Sequence, residues 1–196
     1  NSAAAIDAAK VAGADVVVLD HHQVGGNLPE AALAIVNPNR EDDLSGQGHL
    51  CAAGVVFLTL VQTSRILREQ GGKLNTNPPD LLSLLDLVAL ATICDVVPLK
   101  ELNRAFVVKG LLVARTQQNV GLAALARVSR IGEPLNAFHF AYLIGPRINA
   151  GGRIGDAGLG ARLLTLDDPD EAMRIAQELD RLNQERQAME TIMLEQ

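Results

Sequence analysis

The sequence predicts an α/β fold: a parallel sheet flanked by helices, followed by a helical region and a long final helix. Three observations predict it. An Ala-rich helical stretch feeds directly into Asp15-Val16-Val17-Val18-Leu19-Asp20, whose centre is continuously apolar and β-branched, as in a strand buried on both faces. After Pro98 the apolar spacing turns helical and stays so. From Asp167 onward one apolar stripe runs along a charged helix to the last residues.

In chain order, Ser2–Ala12 reads as a short helix closed by Gly13, and residues 15–20 as the first strand. A helix leading into a buried strand is the second half of a βαβ unit. The missing first strand and the absent initial Met lead us to expect upstream sequence. Ala31–Val36 forms a second short strand, ended by Asn37-Pro38-Asn39. Gly46 and Gly48 open an apolar helix from about Leu50 to Gln70, which Gly71-Gly72 stop before a loop at Asn75–Pro79. Asp80 caps a helix over Leu81–Ile93. Further helices are expected at Glu101–Arg115, Val120–Ser129 and Asn136–Leu143, then a glycine-rich loop over Gly145–Gly160 and a short helix ending near Leu164. In the final helix Asp167-Asp168 provide the cap, Pro169 fits the first turn and Asp170-Glu171 suit the positive dipole end. Its stripe is Ala172, Ile175, Ala176, Leu179, Leu182, Met189 and Met193, over about 40 Å. We divide the chain into a partial α/β domain (1–110), a helical part of the core with the Gly/Arg loop (111–166) and a linker helix (167–196) leading to a further domain.

Composition narrows the function classes. Apolar residues make up 48% of the 196, too many for a disordered chain, and no apolar run reaches the ~18 residues of a membrane span. The start lacks the basic, then apolar, pattern of a secretory signal, and two cysteines make no disulfide framework, so a cytoplasmic protein with free thiols is expected. The net charge of −6 argues against nucleic acid until its distribution is read. Residues 1–103 carry −6, residues 104–162 carry +6 and residues 163–196 again −6, so the middle of the chain is basic and suited to an anion.

Three constellations could carry chemistry. Asp20-His21-His22 lies where a parallel strand ends, the place at which open α/β sheets bind ligands, and it supplies metal-ligating and proton-transferring groups. Asp95 follows a helix, where the negative dipole end disfavours a carboxylate unless a cation offsets it. In Gly145–Arg153, glycines allow close backbone approach, and Arg147 and Arg153, with Asn149 between, offer forked donors for phosphate oxygens. A weaker candidate ligand is His49 in a glycine-flanked loop, while His139 and Cys94 read as packing groups. No Walker pattern, Gly-x-Ser-x-Gly elbow or Cys-x-x-Cys pair is present.

On these residues the chain resembles the DHH phosphoesterases. Val17–His22 (VVLDHH) resembles the signature that names the family. Leu33–Asn39 (LAIVNPN), Cys51–Phe57 (CAAGVVF), Leu85–Leu99 (LDLVALATICDVVPL), Asn103-Arg104 and Gly145–Arg153 (GPRINAGGR) resemble its branch of single-strand-specific 5′→3′ DNA exonucleases. The resemblance implies two Mn²⁺ or Mg²⁺ ions at the strand ends, with His21 and Asp95 as metal ligands and Asp20 orienting the imidazoles. It also implies His22 facing the scissile phosphate, and Arg147, Asn149 and Arg153 holding the DNA backbone. Single-stranded DNA is the implied partner, with a single-strand-binding protein and a helicase beside it, in DNA repair and recombination; no membrane is implied. The family's upstream Asp motifs have no counterpart here, so the two-metal site is expected to be incomplete and this fragment inactive alone. Alternatives left open are an oligoribonucleotide or cyclic-dinucleotide phosphodiesterase on the same core, and a non-catalytic DNA-binding scaffold.

Overall fold

A computed structural model describes residues 3–70 and 79–194. The expected stop at Gly71-Gly72 and most of the loop before Pro79 lie outside the described residues. Helix α1 (Ala3–Val11) precedes strand β1 (Val17–Leu19), which pairs in parallel with β2 (Ala34–Val36) in the register Val17–Ala34, Val18–Ile35, Leu19–Val36. The parallel sheet expected from the sequence is therefore present, as two short strands among the described residues. The expectation of a fully buried first strand does not hold, since Val17 is 52% exposed. A two-stranded ribbon offers too few neighbours to cover both faces.

Helix α2 (Ala52–Glu69) lies on one side of α3 (Leu85–Cys94). The expected single helix over residues 81–93 is divided: Asp80 accepts a hydrogen bond from Leu82 N and caps a 3₁₀ turn at Leu81–Leu84, and α3 begins only at Leu85. The sequence of α3 is apolar almost all round, which suits a helix enclosed on several sides. Helix α4 (Glu101–Ala114) packs closely along it, and Gly110 explains how: a Cβ there would stand 2.1 Å from the Leu85 carbonyl oxygen and 2.5 Å from Ala89 Cβ. A small core of Leu50, Val55, Phe57, Leu85, Val88 and Phe106 joins α2, α3 and α4. The larger core joins α3 and α4 to α5 (Val120–Val128), α6 (Gly145–Ile154), α7 (Leu159–Leu164) and α8 (Pro169–Leu194), with Phe140 and Ile144 at its centre.

The glycine-rich stretch from Gly145 corrects the sequence reading. It is not a loop up to residue 160; Gly145–Ile154 is a helix, continuous with a π-helical turn at His139–Ile144. Two of its glycines, Gly145 and Gly151, serve contact rather than flexibility. A Cβ at Gly145 would stand 2.5 Å from Cys94 Sγ, and one at Gly151 3.0 Å from Leu179 Cδ2. In α8 the stripe divides: Ala172, Ile175, Ala176, Leu179 and Leu182 are buried, whereas Met189 and Met193 are exposed. Asp168 caps this helix, accepting from Asp170 N at 2.9 Å and Glu171 N at 3.2 Å.

Candidate metal centre

The Asp-His-His triplet folds around its own carboxylate. Asp20 Oδ1 accepts from His21 N at 2.7 Å and His22 N at 3.2 Å, and it pairs with His22 Nδ1 at 2.7 Å. Burial pushes the Asp20 pKa up, but the His22 ring and the two backbone N–H groups outweigh it and hold the carboxyl below its ordinary value. With Nδ1–H donated to Asp20, a neutral His22 ring presents Nε2 as its lone pair, on a side chain that is 77% exposed. Asp20 thus orients the triplet through Oδ1.

The backbone of the triplet is held from the neighbouring strand. Asn37 Nδ2 donates to the His22 carbonyl at 2.9 Å and Asn39 Nδ2 to the His21 carbonyl at 2.6 Å, while Asn37 Oδ1 accepts from Asn39 N at 2.8 Å. Asn39 also donates to the Gly48 carbonyl at 3.1 Å, which ties in the entry to α2. The sequence showed Asn37-Pro38-Asn39 as a strand terminator. Their supporting contacts are not legible in the sequence, since nothing in local pattern says that an Asn beyond one strand reaches the backbone beyond another.

His21 turns toward the end of α3. Its Nε2 stands 3.4 Å from Asp95 Oδ2, with the imidazole 15% and the carboxylate 42% exposed. Asp95 is the C-cap of α3, so the helix's negative end adds to its charge. An imidazole lone pair and a carboxylate facing the same space suit a hard divalent cation, whose neighbouring octahedral ligands at about 2.1 Å stand about 3 Å apart. His21 and Asp95 share a small open cleft with Cys51, Ala52, Ala53, Ala91, Cys94 and Asn149. Among the described residues no group of three or more His, Cys, Asp or Glu side chains could hold a metal ion by itself. The chemistry of the two donors fits the implied ion, for which they would supply part of a coordination sphere. Cys94 lies beside Asp95, and burial, and secondly the charge of Asp95, push its thiol up to about 11.

The basic candidates part company. Asn149, on α6, reaches the cleft of His21 and Asp95. Arg153, near the end of the same helix, is exposed. Arg147 is engaged inside the protein: Nε donates to Asp180 Oδ1 at 2.8 Å and a terminal nitrogen donates to the Leu143 carbonyl at 2.7 Å. Of the weaker candidates, His139 is buried, pairing with Glu133 Oε1 at 3.1 Å and accepting from Asn136 N. His49 is buried, its Nε2 3.9 Å from Glu101 Oε2.

Residues 1–92 match the model of the DHH family, N-terminal domain. Over that span the chain is similar to the DHH family. It is 41% identical over 194 residues to the single-stranded-DNA-specific exonuclease RecJ of Salmonella typhimurium, covering 97% of this chain and 33% of that protein. It is 40% identical over 182 residues to the RecJ of Thermus thermophilus, covering 93% and 25%. Among solved structures, exonuclease RecJ bound to manganese aligns at a TM-score of 0.81 with 37% identity, over 99% of this chain and 46% of that one. RecJ of T. thermophilus in complex with Mg²⁺ aligns at 0.72 with 37% identity, over 93% and 26%. The chain spans about a third, or less, of the length of these curated relatives.

Proposed function

We propose that this chain is the DHH core of a metal-dependent, single-strand-specific 5′→3′ exodeoxyribonuclease acting in DNA repair and recombination. The observation that carries the reading is the convergence of His21 and Asp95, 3.4 Å apart, beside a triplet whose acid already orients His22. The names of the relatives, single-stranded-DNA-specific exonucleases, and the neighbours with Mn²⁺ and Mg²⁺ support the substrate and the cofactor.

In this reading His21 and Asp95 hold Mn²⁺ or Mg²⁺, two ions being completed by carboxylates from outside the described residues. Bound ions would lower the pKa of attacking water and neutralise charge on the phosphoryl oxygens. The chain's own residues do the rest. Asp20 fixes the tautomer and direction of His22, and His22 Nε2 faces the phosphate, where it accepts or returns a proton. Asn149 and Arg153 take backbone oxygens. Arg147 has its guanidinium committed to Asp180 and Leu143, so its part is to hold α6 on α8 and thereby set the position of Asn149. Single-stranded DNA is the partner, with a single-strand-binding protein and a helicase as proposed associates. No described helix is long and apolar enough to cross a membrane, and we place the protein in the cytoplasm with its substrate.

The test is hydrolysis of 5′-labelled single-stranded DNA with Mn²⁺ by the full-length protein, beside a dinucleotide and a duplex. Stepwise release of 5′-mononucleotides from the single strand, abolished by His21→Ala and Asp95→Ala, is expected. Preference for the dinucleotide would transfer the protein to a sibling phosphodiesterase activity. DNA binding with no Mn²⁺ binding would make it a scaffold.

A further inference from the structure

The segment that follows Asp95 carries unusual backbone. Val96 has φ 56° and Glu101 has φ 45°, so a β-branched and a long side chain both stand in the left-handed region at the two ends of one short connection. Neither is a residue that adopts this conformation without cost, and such strain persists only where surroundings over-determine it. The connection has few hydrogen bonds of its own, chiefly Val96 N to the Ile93 carbonyl at 3.2 Å and Lys100 N to the Pro98 carbonyl at 2.9 Å. Something outside it must hold it.

Asn103, in the first turn of α4, is fully buried, and its Nδ2 donates to two carbonyls from two different segments. One is Pro98 O, at 3.0 Å, inside the connection. The other is His49 O, at 2.7 Å, two residues before Cys51 in the approach to α2, whose first residues line the cleft of His21 and Asp95. Both amide hydrogens are used, and the flipped orientation would aim an oxygen at two carbonyl oxygens. The next residue adds a second tie: Arg104 Nε donates to Leu99 O at 3.3 Å. We propose that Asn103 is a positioning residue for the metal centre, clamping the strained 96–101 connection to the α2 entry and so fixing Asp95 opposite His21.

This inference rests on the two-ion reading above, and its experiment keeps the two apart. In the full-length protein, Asn103→Leu removes both ties, and Asn103→Ser keeps a single donor as the milder break should the first variant fold poorly. Asn119→Ala is the control. Asn119 caps a helix through Leu122 N and, like Asn103, holds a distant carbonyl, Leu164 O at 3.1 Å, in a region with no candidate site residue.

Hydrogen exchange of metal-free protein should show amides 95–100 exchanging faster in both Asn103 variants, with α5–α8 unchanged. Mn²⁺ titration followed by electron paramagnetic resonance should then show affinity weakened about tenfold, as when a residue supporting a metal ligand is lost. Asn119→Ala should lower the melting temperature while leaving both readouts as in the unaltered protein. Unchanged exchange over 95–100 in Asn103→Ser would overturn the proposal, and so would a loosened connection with undiminished Mn²⁺ affinity. If the unaltered protein bound no Mn²⁺, the two-ion reading would fall with the metal part of this proposal, while the exchange data would still decide whether Asn103 holds the connection.

Discussion

His21 Nε2 and Asp95 Oδ2 stand 3.4 Å apart, one supplied by the end of β1 and the other by the C-terminus of α3. Without a cation, Asp95 sits at the negative end of a helix, an arrangement that costs about 0.3–1 kcal/mol. Asp95→Asn should therefore leave metal-free protein as stable as before or slightly more so, while weakening Mn²⁺ binding at least about tenfold. Thermal melts in chelator and a Mn²⁺ titration check the two halves. A clear loss of stability in chelator would show that Asp95 is a structural group.

Gly145 faces Cys94, the neighbour of Asp95. A Cβ there would lie 2.5 Å from Cys94 Sγ and 2.8 Å from the Phe140 carbonyl oxygen. Gly145→Ala should cost about 1–3 kcal/mol through overpacking. Cys94→Ala in the same chain should recover part of that loss, because it removes the sulfur but not the carbonyl contact. Denaturant unfolding of the two single variants and the double variant measures the coupling.

The two arginines of α6 should separate in experiment. Arg147 and Asp180 are mostly buried and paired at 2.8 Å, so either Arg147→Ala or Asp180→Ala leaves an uncompensated charge and should destabilise by about 2–4 kcal/mol. Arg153→Ala should leave stability unchanged, weaken single-stranded DNA binding and reduce the salt slope by about one. An equal effect of both substitutions on the salt slope, without loss of stability, would return Arg147 to the phosphate.

Two buried or half-buried acids should bend the pH–stability curve in opposite senses. The Asp20 carboxyl is held below its ordinary 3.8: burial opposes this, but hydrogen bonds from His22 and from two backbone N–H groups prevail. Its contribution is complete above that value and is lost as pH falls through the lower folded value. Asp86 lies in the first turn of α3, and burial raises its pKa above 3.8 against the hydrogen bond from Leu87 N. The unfolded chain then releases this proton first, and stability falls as pH rises from 3.8 to the raised value. Asp86→Asn should abolish that fall and gain over the parent with rising pH. Urea midpoints across acid to neutral pH would show it.

Much of the fold could be read from pattern, because helix caps, the β-branched run and the apolar stripe of α8 are local signals. The Asp20–His22 triplet and Asp95 were legible by residue type and by their places at a strand end and a helix end. What pattern did not reveal lies in contacts between distant segments. Gly145 and Gly151 look like loop residues in one dimension; in the fold they are where α6 meets Cys94 and Leu179. Arg147 looks like a phosphate donor until Asp180, on another helix, is brought against it. Asn37, Asn39 and Asn103 act through backbone carbonyls, which every residue has and no sequence marks.

The π-helical turn at His139–Ile144 leads without a break into α6. Such a turn accommodates one residue more than an α-helix needs, and each residue advances a helix by about 100°. Deleting a single residue within it would let the segment rewind as ordinary α-helix and swing α6 by about a quarter-turn relative to α8, taking Asn149 off the cleft and Arg147 off Asp180. One surplus amino acid thus acts as the phase setting for a whole helix, and a shortened homologue would need a compensating insertion further along to keep both partners in view.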